Sequence, residues 1–279
     1  MLQRQQPNTT RRARGIPVPA FLFPRRSPAL NCIHGDKFIR SRRIEPVIPV
    51  MTNAILLEVA VASLARARAA ERAGAHRLEL CASLDLGGLT PTLDLVRQVR
   101  AAVQLPVHVL VRPRPGNFAY TDAECAQMQS EIRSLRTENV QGIVTGVLLP
   151  DRSVDIARTR ELVALAAPLP VTFHRAFDET NDRLKALEDV MKTGANRILT
   201  SGGKSTAADA AGILTGLVAQ ARGRIAILPG GGLHAGNIAT LARIPGVREL
   251  HSGLGTHVPY NDPDLTKFES ALRACLAAL

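Results

Sequence analysis

Residues 171–202 read VTFHRAFDETNDRLKALEDVMKTGANRILTSG and hold one complete unit of strand, loop, helix and strand. Alternation from Val171 to His174 puts Val171 and Phe173 on one side of an extended strand, with Thr172 and His174 on the other. Pro170 opens the run, and the polar Glu179 to Asp182 leads into the helical pattern NDRLKALEDVMKTG. Gly194 closes that helix, because glycine readily takes the left-handed conformation that releases a chain into the next element. The apolar run Asn196 to Thr200 follows as a second strand. Two strands joined through a helix imply parallel pairing.

The junction recurs along the chain. GAHRLELC from Gly74 and GVRELHSG from Gly246 repeat the order of GANRILTSG from Gly194: glycine, two residues, then an apolar strand. Counting outward, strands are expected at Ile55–Val59, His76–Leu80, Val107–Val111, Gly142–Val147, Val171–His174, Asn196–Thr200, Arg224–Leu228 and Val247–His251. Helical patterns such as SLARARAAERAG and LDLVRQVRAAV lie between them, and a last helix spans Asp264–Leu279. Eight alternations predict an α/β fold over residues 51–279, a TIM-like (β/α)8 barrel, which typically needs about 250 residues. An open doubly wound sheet is the fallback.

The chain has 279 residues and a formal charge of +11, which on its face suggests nucleic acid or a membrane surface. Residues 1–50 hold ten Lys and Arg against two acids, leaving twenty-five against twenty-two for the rest. The barrel region is therefore close to neutral. Residues 1–50 form a basic, Arg/Pro-rich extension expected to be disordered, its prolines interrupting any helical period. A transit peptide, a basic tail and an upstream start misread compete as explanations. The third is preferred, with Met51 as the true start, because ordered pattern begins just after it.

No apolar run approaches a membrane span, and with no Trp and two Tyr there is no aromatic platform for bases. Neither nucleic acid nor membrane is an expected partner. Cys32, Cys81, Cys125 and Cys275 make no C-x-x-C pair, so a reducing, cytoplasmic setting is expected.

Strand parity then selects the residues pointing into the barrel. It sends inward Glu58 from the first strand, Arg77, Glu79 and Cys81 from the second, and His108, Leu110 and Arg112 from the third. Thr172 and His174 follow from the fifth strand, Glu249 and His251 from the eighth, and Thr200 is the choice for the sixth. Barrel layers are normally Val, Ile and Leu. Buried carboxylates must be matched by Arg77, Arg112 or histidines, either as an ion-pair network or as a site for a small anion.

Several residues gather at strand ends. His174 is followed by Arg175 and Asp178; Arg112 and Arg114 in RPRPGNF suit bidentate grip on a carboxylate or phosphate. Ser201 and Gly202 follow strand six, Gly230 and Gly231 strand seven, and Ser252 strand eight. Amides of such glycine turns form anion sites, and they also serve tight turns.

LEVAVAS, RLELCASLDLGGLTP, PVHVLVRPRPGNFAYTDAE, VTGVL, VTFHRAFD, RILTSGG, ILPGGG and ELHS, in this order between about residues 55 and 253, resemble the CutC family. The resemblance implies a TIM-like barrel in the cytoplasm, often a homo-oligomer, with a role in copper homeostasis. In the family a cysteine in the first strand pairs with the one in R-I-E-L-C as candidate Cu(I) ligands; here Ala60 takes the first place and only Cys81 matches. Pro115 and Asn117 also replace a glycine and a carboxylate of the family's loop. Two expectations follow. One is a copper-handling protein binding Cu(I) at Cys81, with His108 or His174 nearby. The other is a barrel enzyme, a lyase, isomerase or hydrolase holding a small anionic or phosphorylated metabolite, with Glu79, His108 and His174 as catalytic candidates.

Overall fold

Eight short parallel strands pair into one sheet in the computed structural model, which describes residues 55–255 and 258–279. They are β1 (Leu56–Val61), β2 (Arg77–Leu80), β3 (Val107–Leu110), β4 (Gly142–Thr145), β5 (Val171–Phe173), β6 (Arg197–Thr200), β7 (Ala226–Pro229) and β8 (Glu249–Ser252). The pairing order is β7-β6-β5-β4-β3-β2-β1-β8, and a parallel bridge from Gly230 to His251 joins the two ends into a barrel. Every expected strand is present, its ends displaced by no more than two residues. The expectations for residues 1–50, and for Met51 as the start, lie outside the described residues.

The helices are α1 (Leu64–Ala73), α2 (Leu93–Ala102), α3 (Asp122–Leu135), α4 (Ile156–Ala166), α5 (Arg183–Thr193), α6 (Ala211–Ala221), α7 (Ile238–Ala242) and α8 (Leu265–Ala277). Ser63, Thr92, Thr121, Asp155, Asp182 and Asp264 each cap the first turn of the helix that follows, accepting a free backbone N–H. None of the described helices is long and apolar enough to cross a membrane.

The repeated junction works as its glycines require. Gly74, Gly194 and Gly246 have φ of 95°, 87° and 94°, the left-handed region in which a side chain is strained. The residue two places on adds a device of its own. Nδ1 of His76 accepts the N–H of Leu57 at 3.0 Å, and Oδ1 of Asn196 accepts that of Val171 at 2.8 Å. Each side chain satisfies an amide within the first two residues of the neighbouring strand and so helps fix where pairing begins.

Leu57, Val59, Leu78, Val107, Val109 and Ile198 face the helices and are fully buried there, part of one apolar layer around the barrel. Their neighbours point inward. Parity corrects one expectation: in β6 the inward residues are Arg197 and Leu199. Thr200 lies on the other face, where its hydroxyl donates to Asp178.

Candidate functional site

The barrel interior is built on the same repeat. Arg77, Arg197 and Glu249 each stand three residues after a junction glycine, so all three enter the barrel at its amino-terminal end. Arg77 Nη2 lies 2.5 Å from Glu249 Oε2, with Arg197 Nε at 3.3 Å from the same oxygen. Arg77 Nε also bonds Glu58, which is 1 % exposed. Two guanidinium groups thus balance two carboxylates. Burial works against the Glu58 charge, yet the hydrogen bond from His251 and the charge of Arg77 hold its carboxyl well below the usual range. Arg197 was not foreseen as a partner, although its place in the repeat matched that of Arg77.

Above this layer Glu58 Oε1 lies 2.8 Å from His251 Nδ1, and His251 Nε2 lies 3.5 Å from Glu79 Oε2. Burial pushes Glu79 up to about 7. Burial opposes charge on His251 too, but Glu79 and Glu58 more than offset it and raise its pKa. With the arginines already balanced, Glu79 and His251 form a pair that is neutral overall whether its proton sits on nitrogen or oxygen. His108 lies deeper, its Nδ1 3.8 Å from Glu58 Oε2, and burial pushes it down to about 4. Gly142 makes room for that ring, since a Cβ there would stand 2.6 Å from it.

At the carboxyl ends of the strands a cavity of about 190 Å³ opens, lined by Glu79, Cys81, Arg112, His174, Arg175 and His251 among others. This gathers residues from β2, β8 and the loops after β3 and β5. Arg112 is 6 % exposed and forms no ion pair with a carboxylate among the described residues. Its Nη1 donates to the carbonyls of Leu86 (3.1 Å) and Gly88 (2.8 Å), and its Nη2 to that of Gly116 (3.0 Å). Its Nε is buried without a partner. The guanidinium therefore holds two loops in place while its charge stays uncompensated.

His174 shares one side of this cavity with Arg112. Phe118 lies close to both, its ring 4.7 Å from the imidazole and 5.0 Å from the guanidinium carbon. The N–H of Ala176 donates to His174 Nδ1 at 3.3 Å. Burial, then the Arg112 charge, push His174 down to about 3, so the ring is neutral, and the Ala176 contact favours the proton on Nε2. That Nε2 is buried without a partner. Gly146 admits the ring, as a Cβ there would meet Nδ1 at 2.9 Å. Sequence reading missed Phe118 and Gly146, because neither looks polar or strand-terminal.

The other candidates are placed elsewhere. Glu58 and His108 lie below the cavity. Arg114 is turned outward, bonding Glu124 Oε1 at 2.5 Å and the carbonyls of Asn117 and Ala119. The loop after β6 already holds a carboxylate, that of Asp178. It accepts from the amides of Ser201 (3.0 Å) and Gly203 (3.1 Å), from the hydroxyl of Ser201 (3.0 Å) and from Arg175 Nε (2.9 Å). The Gly202 amide donates to Thr200 Oγ1 at 2.8 Å. The Ser201 amide and hydroxyl are taken by Asp178 and the Gly202 amide by Thr200, which corrects the expectation that these donors await an external anion. Ser252 donates to the Leu233 carbonyl at 2.7 Å and ties the last two loops together. Gly230 gives its amide to Thr200 at 2.9 Å and leaves space for Leu199 and His251. Gly231 lines the cavity with Gly232 and Leu233.

Cys81 lines the cavity with a buried thiol that donates to the Val61 carbonyl at 3.6 Å. Burial and the Glu79 charge raise its pKa well above the ordinary value, so it is held as the protonated thiol. Among the described residues no three His, Cys, Asp or Glu side chains stand close enough to hold a metal ion together.

Comparison with known proteins agrees with this fold. The model of the CutC family matches residues 55–256. A family protein CutC of Klebsiella pneumoniae is 47 % identical over 204 residues, 73 % of this chain and 82 % of that protein. The human copper homeostasis protein cutC homolog is 42 % identical over 199 residues, 71 % of this chain and 73 % of its own. A crystal structure of CutC from Streptococcus agalactiae superposes with a TM-score of 0.68 at 29 % identity, covering 71 % of this chain and 98 % of that one. The chain belongs to the CutC family.

Proposed function

We propose that this protein binds a small carboxylate- or phosphate-bearing metabolite at the mouth of its barrel and acts on it as a lyase, isomerase or hydrolase. Arg112 carries the reading. A guanidinium buried without a counter-ion costs several kcal/mol, and an anionic ligand supplies the missing charge. The carbonyls around Arg112 fix its geometry but leave its charge in place, which favours a site built in advance for an anion. Glu79 and His251 line the same cavity and can move a proton between them without changing the net charge beneath it.

Calorimetric titration with oxalate, and separately with inorganic phosphate, tests the reading. Arg112→Met should weaken the binding of at least one of them by tenfold or more. Equal affinity in the two proteins, or no binding of either anion to the wild type, sinks it.

The names of the human and mouse relatives tie the family to copper homeostasis. Cys81 brings a sulfur to the cavity lining, and Cu(I) favours soft thiolates. Here the thiol is single and protonated, with Ala60 lining the cavity where a second cysteine would complete a pair. These residues do not fit a resident copper ion. If Cys81 binds copper nonetheless, Cys81→Ala should lose one equivalent of Cu(I) under competition with a chelator. We also propose a cytoplasmic location, which the free, buried state of Cys81, Cys125 and Cys275 favours.

A further inference from the structure

Two donors of different kinds lie close to Phe118 in the cavity. Arg112 brings a full positive charge with no carboxylate partner among the described residues, and one buried Nε–H that has no acceptor. His174 brings a neutral N–H. Its Nδ1 accepts the Ala176 amide at 3.3 Å, which favours the tautomer with Nε2 as the remaining donor. The ring is 5 % exposed, and its Nε2 has no hydrogen-bond partner. Leaving such a group unpaired is costly, and buried polar groups are otherwise paired.

The donors ask for different acceptors. A cation recruits an anion. A neutral imidazole adds no charge to balance a second anion, and suits a neutral oxygen such as a carbonyl. The imidazole lies 4.7 Å and the guanidinium carbon 5.0 Å from the Phe118 ring, and both side chains line one cavity, so a single small molecule carrying both acceptors can meet the two donors.

We infer that the ligand is a 2-oxo carboxylate, its carboxylate set against Arg112 and its keto oxygen accepting the Nε2–H of His174. This rests on the anion reading of the cavity and narrows it to one chemical class. His174 is then a binding residue that polarises the carbonyl and loses no proton of its own. Any chemistry next to that carbonyl gains from the same bond, since charge developing on the oxygen strengthens it.

Paired probes separate the two readings. 2-Oxobutyrate and butyrate differ only in the keto oxygen, so their affinities for the full chain, measured by calorimetry, isolate the His174 contact. One buried hydrogen bond should favour 2-oxobutyrate by roughly tenfold. The preference should vanish in His174→Phe and survive in part in His174→Gln, which keeps an N–H donor. In the wild type, ¹⁵N-labelled His174 should show Nε2–H in the free protein and a shift of that resonance with 2-oxobutyrate but not with butyrate. Equal binding of the two acids, with both weakened in Arg112→Met, overturns the 2-oxo assignment and leaves the anion site standing. Binding of neither acid overturns the 2-oxo assignment whatever oxalate and phosphate do. If those two fail as well, the anion reading falls with it.

Discussion

Ala60 and Gly142 show how single interior positions decide what the barrel can hold. Ala60 lines the cavity and pairs in register with Glu79, two residues before Cys81. Ala60→Cys would add a second thiol, and one equivalent of Cu(I) should then survive chelator competition, to be lost again on adding Cys81→Ala. No gain in bound copper would mean that the two sulfurs cannot share an ion. Gly142→Ala drives a methyl into His108, and overpacking of this kind destabilises by about 1–3 kcal/mol, readable as a lower urea midpoint. Much at this scale was legible beforehand. Parity alone sent Glu58, Glu79, His174 and His251 inward, because a two-residue period leaves no other choice once the apolar face is known. The isolation of Arg112 was not legible. It depends on where carboxylates from other strands end up, and here Glu58 and Glu249 are claimed by arginines from β2 and β6.

Junctions and loops carry the next level of organisation. Gly194→Ala forces a side chain into left-handed backbone at φ 87°, with only Val163 as a near neighbour at 3.5 Å. The cost should be about 1–2 kcal/mol and come from the backbone alone. An unchanged urea midpoint would deny that this junction is under conformational demand. The repeated glycines were visible in the sequence because only glycine suits that conformation. The fastening of the β5 and β6 loops was not, since Asp178 and Ser201 meet only after the barrel forms. Asp178 fills the amide cradle after β6 with a carboxylate from the chain itself. Asp178→Ala should therefore lose stability, and formate at high concentration should restore part of it by entering the vacated cradle. Rescue matters more than loss here, because mass action stabilises only if the anion binds the folded form.

Taken as a whole, the barrel is a column of charge wrapped in hydrocarbon. Arg77→Met takes a guanidinium from Glu58 and Glu249, leaving His251 and Arg197 as their remaining partners, and breaking a buried pair costs about 3–5 kcal/mol, enough to threaten folding. Acid attacks the same column. His108 and His174 are held neutral down to about 4 and about 3, whereas in the unfolded chain they protonate near pH 6.5. Between those values the unfolded chain binds more protons, so stability falls as pH drops. Glu58, held below the ordinary carboxylate range, adds to the loss once pH passes under about 4.5. Glu79 and His251, both shifted upward, act in the opposite sense and hold stability nearly level close to neutrality. Urea midpoints at pH 7, 5.5 and 4 should stay close and then drop, with a shallower drop in His108→Gln. Equal slopes in the two proteins would remove His108 from the account.

The shared proton between Glu79 and His251 has a calorimetric signature. A negative ligand arriving beside Glu79 makes its carboxylate less favourable, so near pH 7 the protein should draw a proton from solution as the ligand docks. The apparent heat of association will then depend on the ionisation enthalpy of the buffer, differing between HEPES and Tris, and Glu79→Gln should erase that difference.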